Sequence, residues 1–242
     1  MDSHGPRLRD LTGHDERAVE RADSGAAIAL IARLANTPDA NKMTAFERDV
    51  VLAQIHSRLY GDRIESTLKC AGCGKPFDIA FSLRDLMTRP QNQASVTPCG
   101  DGSFLMENGL RFRLPTGEDE VSVLHLSAPE AVAQLLRRCV LEAPLDFDPA
   151  VVQDAMEQVA PILDVDINTS CMECGAAARV RFDLQTYLLQ SILQDRRRLW
   201  RETHVLATTY KWGLDEIHGL SRADRRSLVA MIEADASRRA LV

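Results

Sequence analysis

No apolar run in this 242-residue chain approaches the roughly 20 residues needed to cross a bilayer. The stretch 26–32 is among the longest. The start, MDSHGPRLRD, lacks the apolar region of a signal peptide. These absences lead to the expectation of a cytoplasmic protein. Low-complexity tracts are also missing. So are Gly-x-Ser-x-Gly, the Walker loop and Gly-x-Gly-x-x-Gly. The histidines His4, His14, His56, His125, His204 and His218 form neither His-Glu-x-x-His nor His-x-x-Glu-His. His56 and His125 fall in helical segments and read as packed or surface residues. Asp62, Asp78, Asp164 and Asp166 are not paired for acid–base work, and no nucleophile has an evident base. The chain therefore reads as something other than an enzyme.

What is present is ordinary in bulk. Hydrophobic residues make up 45% and charged residues 26%, as in a globular protein long enough to bury a substantial core. A net charge of −6 argues against a general nucleic-acid coat. The charge is uneven, since residues 195–242 hold ten Lys/Arg against seven Asp/Glu.

The informative feature is a pair of Cys-x-x-Cys-Gly knuckles 101 positions apart. Cys70-Ala71-Gly72-Cys73-Gly74 is followed by Ile79, Phe81 and Leu83; Cys171-Met172-Glu173-Cys174-Gly175 is followed by Val180, Phe182 and Leu184 at the same offsets. One knuckle offers two thiolates, whereas a closed structural zinc site takes four ligands in a tetrahedron. The glycine after each second cysteine suits a backbone reversal. Cys70, Cys73, Cys171 and Cys174 are thus expected to hold one structural Zn2+. A thioredoxin-like dithiol, two disulfides, or eroded knuckles packed as small apolar residues are the competing readings. A cytosolic setting disfavours disulfides. Cys99 falls in a loop, and Cys139 lies on a helix face with Leu135 and Leu136 and reads as core.

Around the knuckles the pattern predicts α+β, mostly helical, as one unit with a central split zinc ribbon and a small inserted β-hairpin. Residues 1–63 read as an N-terminal helical arm, in which 1–14 is a loose leader. Its helix from Asp15 to Leu34 breaks near Gly25, and a second runs from a Thr44/Glu47 capping box to Gly61. Residues 64–83 plus 166–184 form the ribbon, each half a strand, knuckle and strand. Residues 84–165 are an insertion with a loop at 89–102, a hairpin around Glu107-Asn108-Gly109 and helices at 117–126, 129–141 and 148–163. Residues 185–242 are a helical segment broken at Gly213 and Gly219–Ser221, with Ser221 and Asp224 starting the last helix. The knuckle pair is the one internal repeat this reading finds.

The C-terminal segment has two readings. It resembles a helix-turn-helix in outline, with Arg196–Arg198, Arg201, Arg222, Arg225 and Arg226 available for phosphates; a DNA-binding regulator is the alternative function. The other reading is a compact hairpin in which Trp212, Leu206, Ile217 and Leu220 make a small core and arginines face solvent.

Several motifs in order resemble the phage baseplate protein family related to the T4 baseplate hub assembly proteins. They are Leu8-Arg9-Asp10-Leu11-Thr12-Gly13-His14-Asp15-Glu16, Leu59-Tyr60-Gly61-Asp62-Arg63, and Arg111–Thr116. A terminal set comprises His204, Leu206, Ala207, Tyr210, Trp212, Glu216, Ile217, Leu220, Arg225 and Arg226. The resemblance implies a non-enzymatic assembly protein or chaperone, or a component of a contractile tail or tail-like injection system. It would be cytoplasmic or incorporated in the particle. Hub or wedge proteins are the implied partners, with nucleic acid, membrane and small molecules not expected. His204, Tyr210, Trp212, Arg225 and Arg226 are the expected partner-binding residues.

Overall fold

The computed structural model describes residues 7–88, 96–144, 146–160 and 163–240. In chain order they form α1 (Gly13–Ala18), α2 (Ser24–Ala35), a 3₁₀ turn (Ala40–Lys42) and α3 (Ala45–Tyr60). The hairpin β1 (Arg63–Lys69) and β2 (Pro76–Ser82) and the short α4 (Leu83–Met87) follow. Next come β3 (Val96–Pro98), β4 (Ser103–Met106), β5 (Arg111–Arg113), α5 (Gly117–Val123), α6 (Ala128–Cys139), β6 (Val140–Glu142) and α7 (Pro149–Val159). A second hairpin, β7 (Asp164–Ser170) and β8 (Ala177–Asp183), precedes α8 (Leu184–Gln194), α9 (Arg196–Tyr210), α10 (Leu214–Gly219) and α11 (Arg222–Ala240). The fold is α+β. Where the sequence reads as one unit, the chain forms two compact ones: residues 1–38 with 186–242, and residues 39–185.

Local chemistry sets most boundaries. Thr44 and Glu47 close a reciprocal capping box at the start of α3, and Gly61, at φ +85°, ends it. Asp23 caps α2 by accepting from the Ala26 N–H at 2.8 Å, so the expected restart falls at Ser24. The Asn108-Gly109 turn joins β4 to β5, with Gly109 at φ +80°. These strands sit inside an antiparallel sheet of order β3-β4-β5-β6. Its inner face supplies Leu110 and Phe112 to a core shared with Leu136 of α6 and Val152 and Ala155 of α7.

Three local expectations need correction. Residues 96–98, inside the presumed loop, form an edge strand pairing Val96 with Met106; Pro98 is tolerated there because an edge strand can spare an N–H. Residues 140–142 leave the helix to form β6, since Val140 turns to ψ 116° and pairs with Phe112. Residues 7–14 are no loose leader. Leu8 and Leu11 are buried, and the Arg9 N–H donates to the Leu34 carbonyl at 2.9 Å. Residues 1–6, 89–95 and 161–162 lie outside the described residues.

The structure adds a second repeat that the reading of the knuckles missed. Thr-Gly-x-Asp-Glu occurs at Thr12–Glu16 and at Thr116–Glu120. Each copy starts a short helix, and each uses its aspartate to close a capping box on its threonine. Asp15 is fully buried and bound by Arg9 at 2.6 Å and Arg33 at 2.8 Å; Asp119 is bound by Arg113 and Arg138 at the same distances. Burial pushes both carboxyls up, but the arginines and the threonine donors overcome it and hold each well below the usual carboxylate range. Each copy then docks on the first turn of a longer helix. Thr12 bridges Ser221 before α11, and Thr116 bridges Thr44 before α3. The glutamates repeat the pattern: Glu16 meets Arg225 at 2.8 Å, and Glu120 meets Arg48 at 2.6 Å. Arg225 and Arg48 also donate to the carbonyls of Leu220 and Met43. One such module lies in each compact unit.

Arg222 and Arg225 of the C-terminal segment are therefore not on a solvated face, whereas Arg197, Arg198 and Arg201 are exposed. Arg225 is fully buried between Glu16 and Glu202, and Arg222 is buried between Glu16 and Asp195. Truncating Arg225 leaves two buried carboxylates short of a cation, so Arg225→Ala should lower unfolding free energy by about 3–5 kcal/mol. Arg238→Ala, which removes an exposed pair with Asp235, should cost under about 0.5 kcal/mol. Urea denaturation of both variants checks the contrast, and equal effects would contradict it.

Candidate metal centre and surface residues

The two knuckle hairpins are built alike. β1–β2 pairs Ile64 with Phe81, and β7–β8 pairs Val165 with Phe182 in the same relative register. In each knuckle the first cysteine's N–H closes the hairpin, Cys70 onto the Lys75 carbonyl and Cys171 onto the Ala176 carbonyl, both at 2.9 Å. The glycine N–H then returns to the first cysteine's carbonyl, Gly74 at 2.9 Å and Gly175 at 2.8 Å. Both glycines sit at φ +72°, where a Cβ is disfavoured. The matching reversal brings each pair of thiols to the hairpin tip.

The hairpins face one another. Cys70, Phe77, Ile79 and Cys171 form a buried cluster, extended by Leu68, Phe81, Ala176, Ala178 and Val180. Phe81 meets Phe182 edge-to-face at 5.0 Å. At the tips, Cys70 Sγ lies 3.7 Å from Cys174 Sγ, and Cys73 Sγ lies 3.9 Å from Cys171 Sγ. Exchanging the two knuckles maps one contact onto the other, so the site has an approximate two-fold relation. All four sulfurs lie within 4.8 Å of one another.

That geometry fits a metal. Sulfurs at about 2.3 Å from a tetrahedral ion are separated by about 3.8 Å, close to both measured edges. It does not fit disulfides, whose sulfurs approach to about 2.05 Å. The donor chemistry agrees. Amide donors from Cys73 and Gly72 hold the Cys70 thiol down at about 7. The Lys75 amide pulls Cys73 the same way, but burial and the three neighbouring sulfurs outweigh it and push Cys73 up to about 12. Four thiolates this close need a cation to be ionised together. The first cysteine of each knuckle is buried and the second reaches the surface. Lys75 and Glu173 pair across the two tips at 3.0 Å. Gly72 is under steric demand, because a Cβ there would lie 3.3 Å from the Ala176 Cβ. Cys139 is buried and Cys99 partly exposed; neither joins the cluster.

The structure treats the proposed surface residues unequally. Tyr210 and Trp212 stack at 4.8 Å and are both exposed, beside exposed Leu214. His204 is exposed on α9, six residues before Tyr210. Arg226 is half-buried near Asp195 and Glu202, and Arg225 is inside the core. Leu206 and Ile217 are buried as expected, but Trp212 faces out. The histidine that sequence inspection passed over is His218. It is fully buried, with Arg17 donating to Nδ1 at 3.2 Å and Thr203 Oγ1 3.1 Å from Nε2. Thr203 donates its own proton to the Leu199 carbonyl, so Nε2 carries the hydrogen and the ring is neutral. His14 and Trp200 pack edge-on against it. No sequence motif marks this residue; its signal is the pairing of α1 with α10.

Burial, followed by Arg17, His14 and Arg225, pushes His218 below its ordinary value, with Asp215 opposing. Its stabilising contribution is complete above about pH 6.5 and declines as pH falls below that. Asp49 works oppositely. Burial pushes it up to about 6 despite the Leu163 N–H, so its contribution grows as pH falls toward about 4. Wild type should therefore lose more stability than His218→Gln between about pH 7.5 and 5.5, measured by urea unfolding; equal losses would contradict the buried neutral imidazole.

Among the described residues, no helix is long and apolar enough to cross a membrane. No curated protein and no solved structure matches the chain significantly. The family model described as T4 bacteriophage base plate protein matches residues 7–144. That span includes the first knuckle, both Thr-Gly-x-Asp-Glu copies and the Leu59–Arg63 and Arg111–Thr116 motifs. The second knuckle and the His204–Arg226 set lie beyond it. With more than half its length matched, the chain belongs to the T4 bacteriophage base plate protein family.

Proposed function

We propose that the protein is a non-enzymatic assembly protein or baseplate component of a contractile phage tail or tail-like injection system. It acts by binding other tail proteins, with hub or wedge proteins as the partners, on a scaffold stabilised by one Zn2+ per chain. The observation that carries the reading is the family match over residues 7–144. The four-sulfur cluster supplies the physical part. Cys70, Cys73, Cys171 and Cys174 would hold the ion, and four thiolate ligands leave no open position for substrate or water. Zinc would then serve folding: it joins two hairpins that are distant in the chain, and its binding energy adds to folding stability.

The exposed Tyr210–Trp212 stack and His204 are the residues of the C-terminal segment best placed for a partner. Aromatic side chains on a surface are the usual anchors of protein interfaces. The DNA-binding alternative loses two of its phosphate contacts, because Arg222 and Arg225 are committed to carboxylates.

Protein purified without added metal should carry one zinc per chain by native mass spectrometry. Chelation, or Cys171→Ser, should remove it and lower Tm by at least about 10 °C. Metal-free protein of unchanged stability would refute the scaffold. Co-expression with the hub and wedge proteins of its own tail cluster should give a stable complex. A protein that binds none of them would refute the assembly role, and mass spectra of mature particles separate a component from a chaperone.

A further inference from the structure

Each knuckle has an inner and an outer sulfur. Cys70 and Cys171 are buried, and Cys73 and Cys174 reach the surface. The close contacts between knuckles pair one of each kind: exposed Cys174 with buried Cys70 at 3.7 Å, and exposed Cys73 with buried Cys171 at 3.9 Å. These two pairs use every sulfur once, so both can become covalent in the same molecule. Disulfide sulfurs stand at about 2.05 Å, so each pair has to close by less than about 2 Å.

Contacts that involve no thiol keep the two tips together. Lys75 and Glu173 pair across them at 3.0 Å. Gly72 lies against Ala176 so closely that a Cβ on it would stand 3.3 Å from the Ala176 Cβ. Phe77, Ile79 and Val180 pack behind the sulfurs, and Phe81 meets Phe182. Loss of a central cation therefore leaves the sulfurs of the two knuckles beside one another.

We propose that Cys73 and Cys174 are oxidation sites, and that hydrogen peroxide converts the cluster into two disulfides between the knuckles, Cys174–Cys70 and Cys73–Cys171. The exposed thiolate attacks the peroxide, breaks its O–O bond and becomes a sulfenic acid, with hydroxide leaving. The buried partner thiolate then attacks that sulfur and displaces a second hydroxide. Each disulfide thus takes two electrons from two thiolates and reduces one peroxide to two hydroxides, which solvent protonates. Oxidation removes the ligands of the proposed ion, yet the hairpins stay joined, now by covalent bonds that close the same long loop. Cross-links across long loops constrain the unfolded chain more than those across short ones, so the oxidised form keeps stability that the reduced, metal-free form lacks. The inference rests on the scaffold reading in taking the four cysteines to share one ion; the pairing itself rests on the sulfur distances.

The test uses the full-length protein as purified. It is treated with hydrogen peroxide, remaining thiols are alkylated, and tryptic peptides are mapped by mass spectrometry without reduction. Zinc release is followed in parallel with a colorimetric chelator. Release should accompany the joining of the peptide that starts at Cys70 to the peptide that carries Cys171 and Cys174, and fragmentation of the joined peptides should give the two links named above. The oxidised protein in EDTA should melt within about 5 °C of untreated protein, and dithiothreitol with EDTA should lower Tm by at least about 10 °C. Disulfides within the knuckles, Cys70–Cys73 and Cys171–Cys174, would overturn the inference. So would sulfinic acids in place of disulfides, or an oxidised protein no more stable than the reduced metal-free one. Protein that carries no zinc but forms both cross-links would refute the zinc scaffold and uphold the pairing. Zinc-loaded protein that oxidises within its knuckles would do the reverse.

Discussion

Four sulfurs within 4.8 Å of one another, contributed by hairpins 101 positions apart in the chain, are the constraint on which the rest of the unit of residues 39–185 depends. Each thiolate added to the group raises the cost of ionising the next, and only a cation at the centre removes that cost. The meeting of the two hairpins closes a long loop. Everything between the knuckles, including the β3–β6 sheet and helices α5 to α7, is threaded between its two fixed ends. Closure entropy grows only slowly with loop length, so an insertion of this size is tolerable once the ends are held. The apolar contacts behind the sulfurs, with Phe81 against Phe182 at the base, hold the hairpins in the orientation that brings the four sulfurs together.

A second device works without metal. A buried aspartate gripped by two arginines closes a capping box, and the next glutamate meets an arginine one turn into another helix. Buried ion pairs of this kind are weak sources of net stability but severe penalties against any wrong arrangement. They fix which helix start docks with which segment. Their duplication means that each compact unit carries its own copy, and the copies differ in what covers them. One face is sealed by arginines and α9; the other is left open as an apolar recess.

The four-cysteine cluster was legible because metal-binding chemistry needs particular residues at particular spacings. Cys70, Cys73, Cys171 and Cys174 stand out, and the shared offsets of Ile79 and Val180, or Phe81 and Phe182, predict paired hairpins. Capping and turn chemistry made α3 and the β4–β5 hairpin readable for the same reason. The strands β3 and β6 were hidden, because each is three residues long and exists only through pairing with a distant neighbour. Arg222 and Arg225 were misplaced on the solvent side because charge alone suggests exposure; Glu16, about 200 residues earlier, is what makes Arg225 a core residue. The Thr-Gly-x-Asp-Glu repeat was in plain view, but its meaning lies in the docking partners Thr44 and Ser221, which share only a helix start.

The proposed scaffold requires one metal to join the two knuckles through four thiolates. Zinc-edge X-ray absorption on the purified full-length protein tests it most directly. Four sulfur neighbours at about 2.3 Å, with no nitrogen or oxygen in the first coordination sphere, are predicted. A first sphere containing fewer than four sulfurs, or a protein that binds no zinc at all, would contradict it.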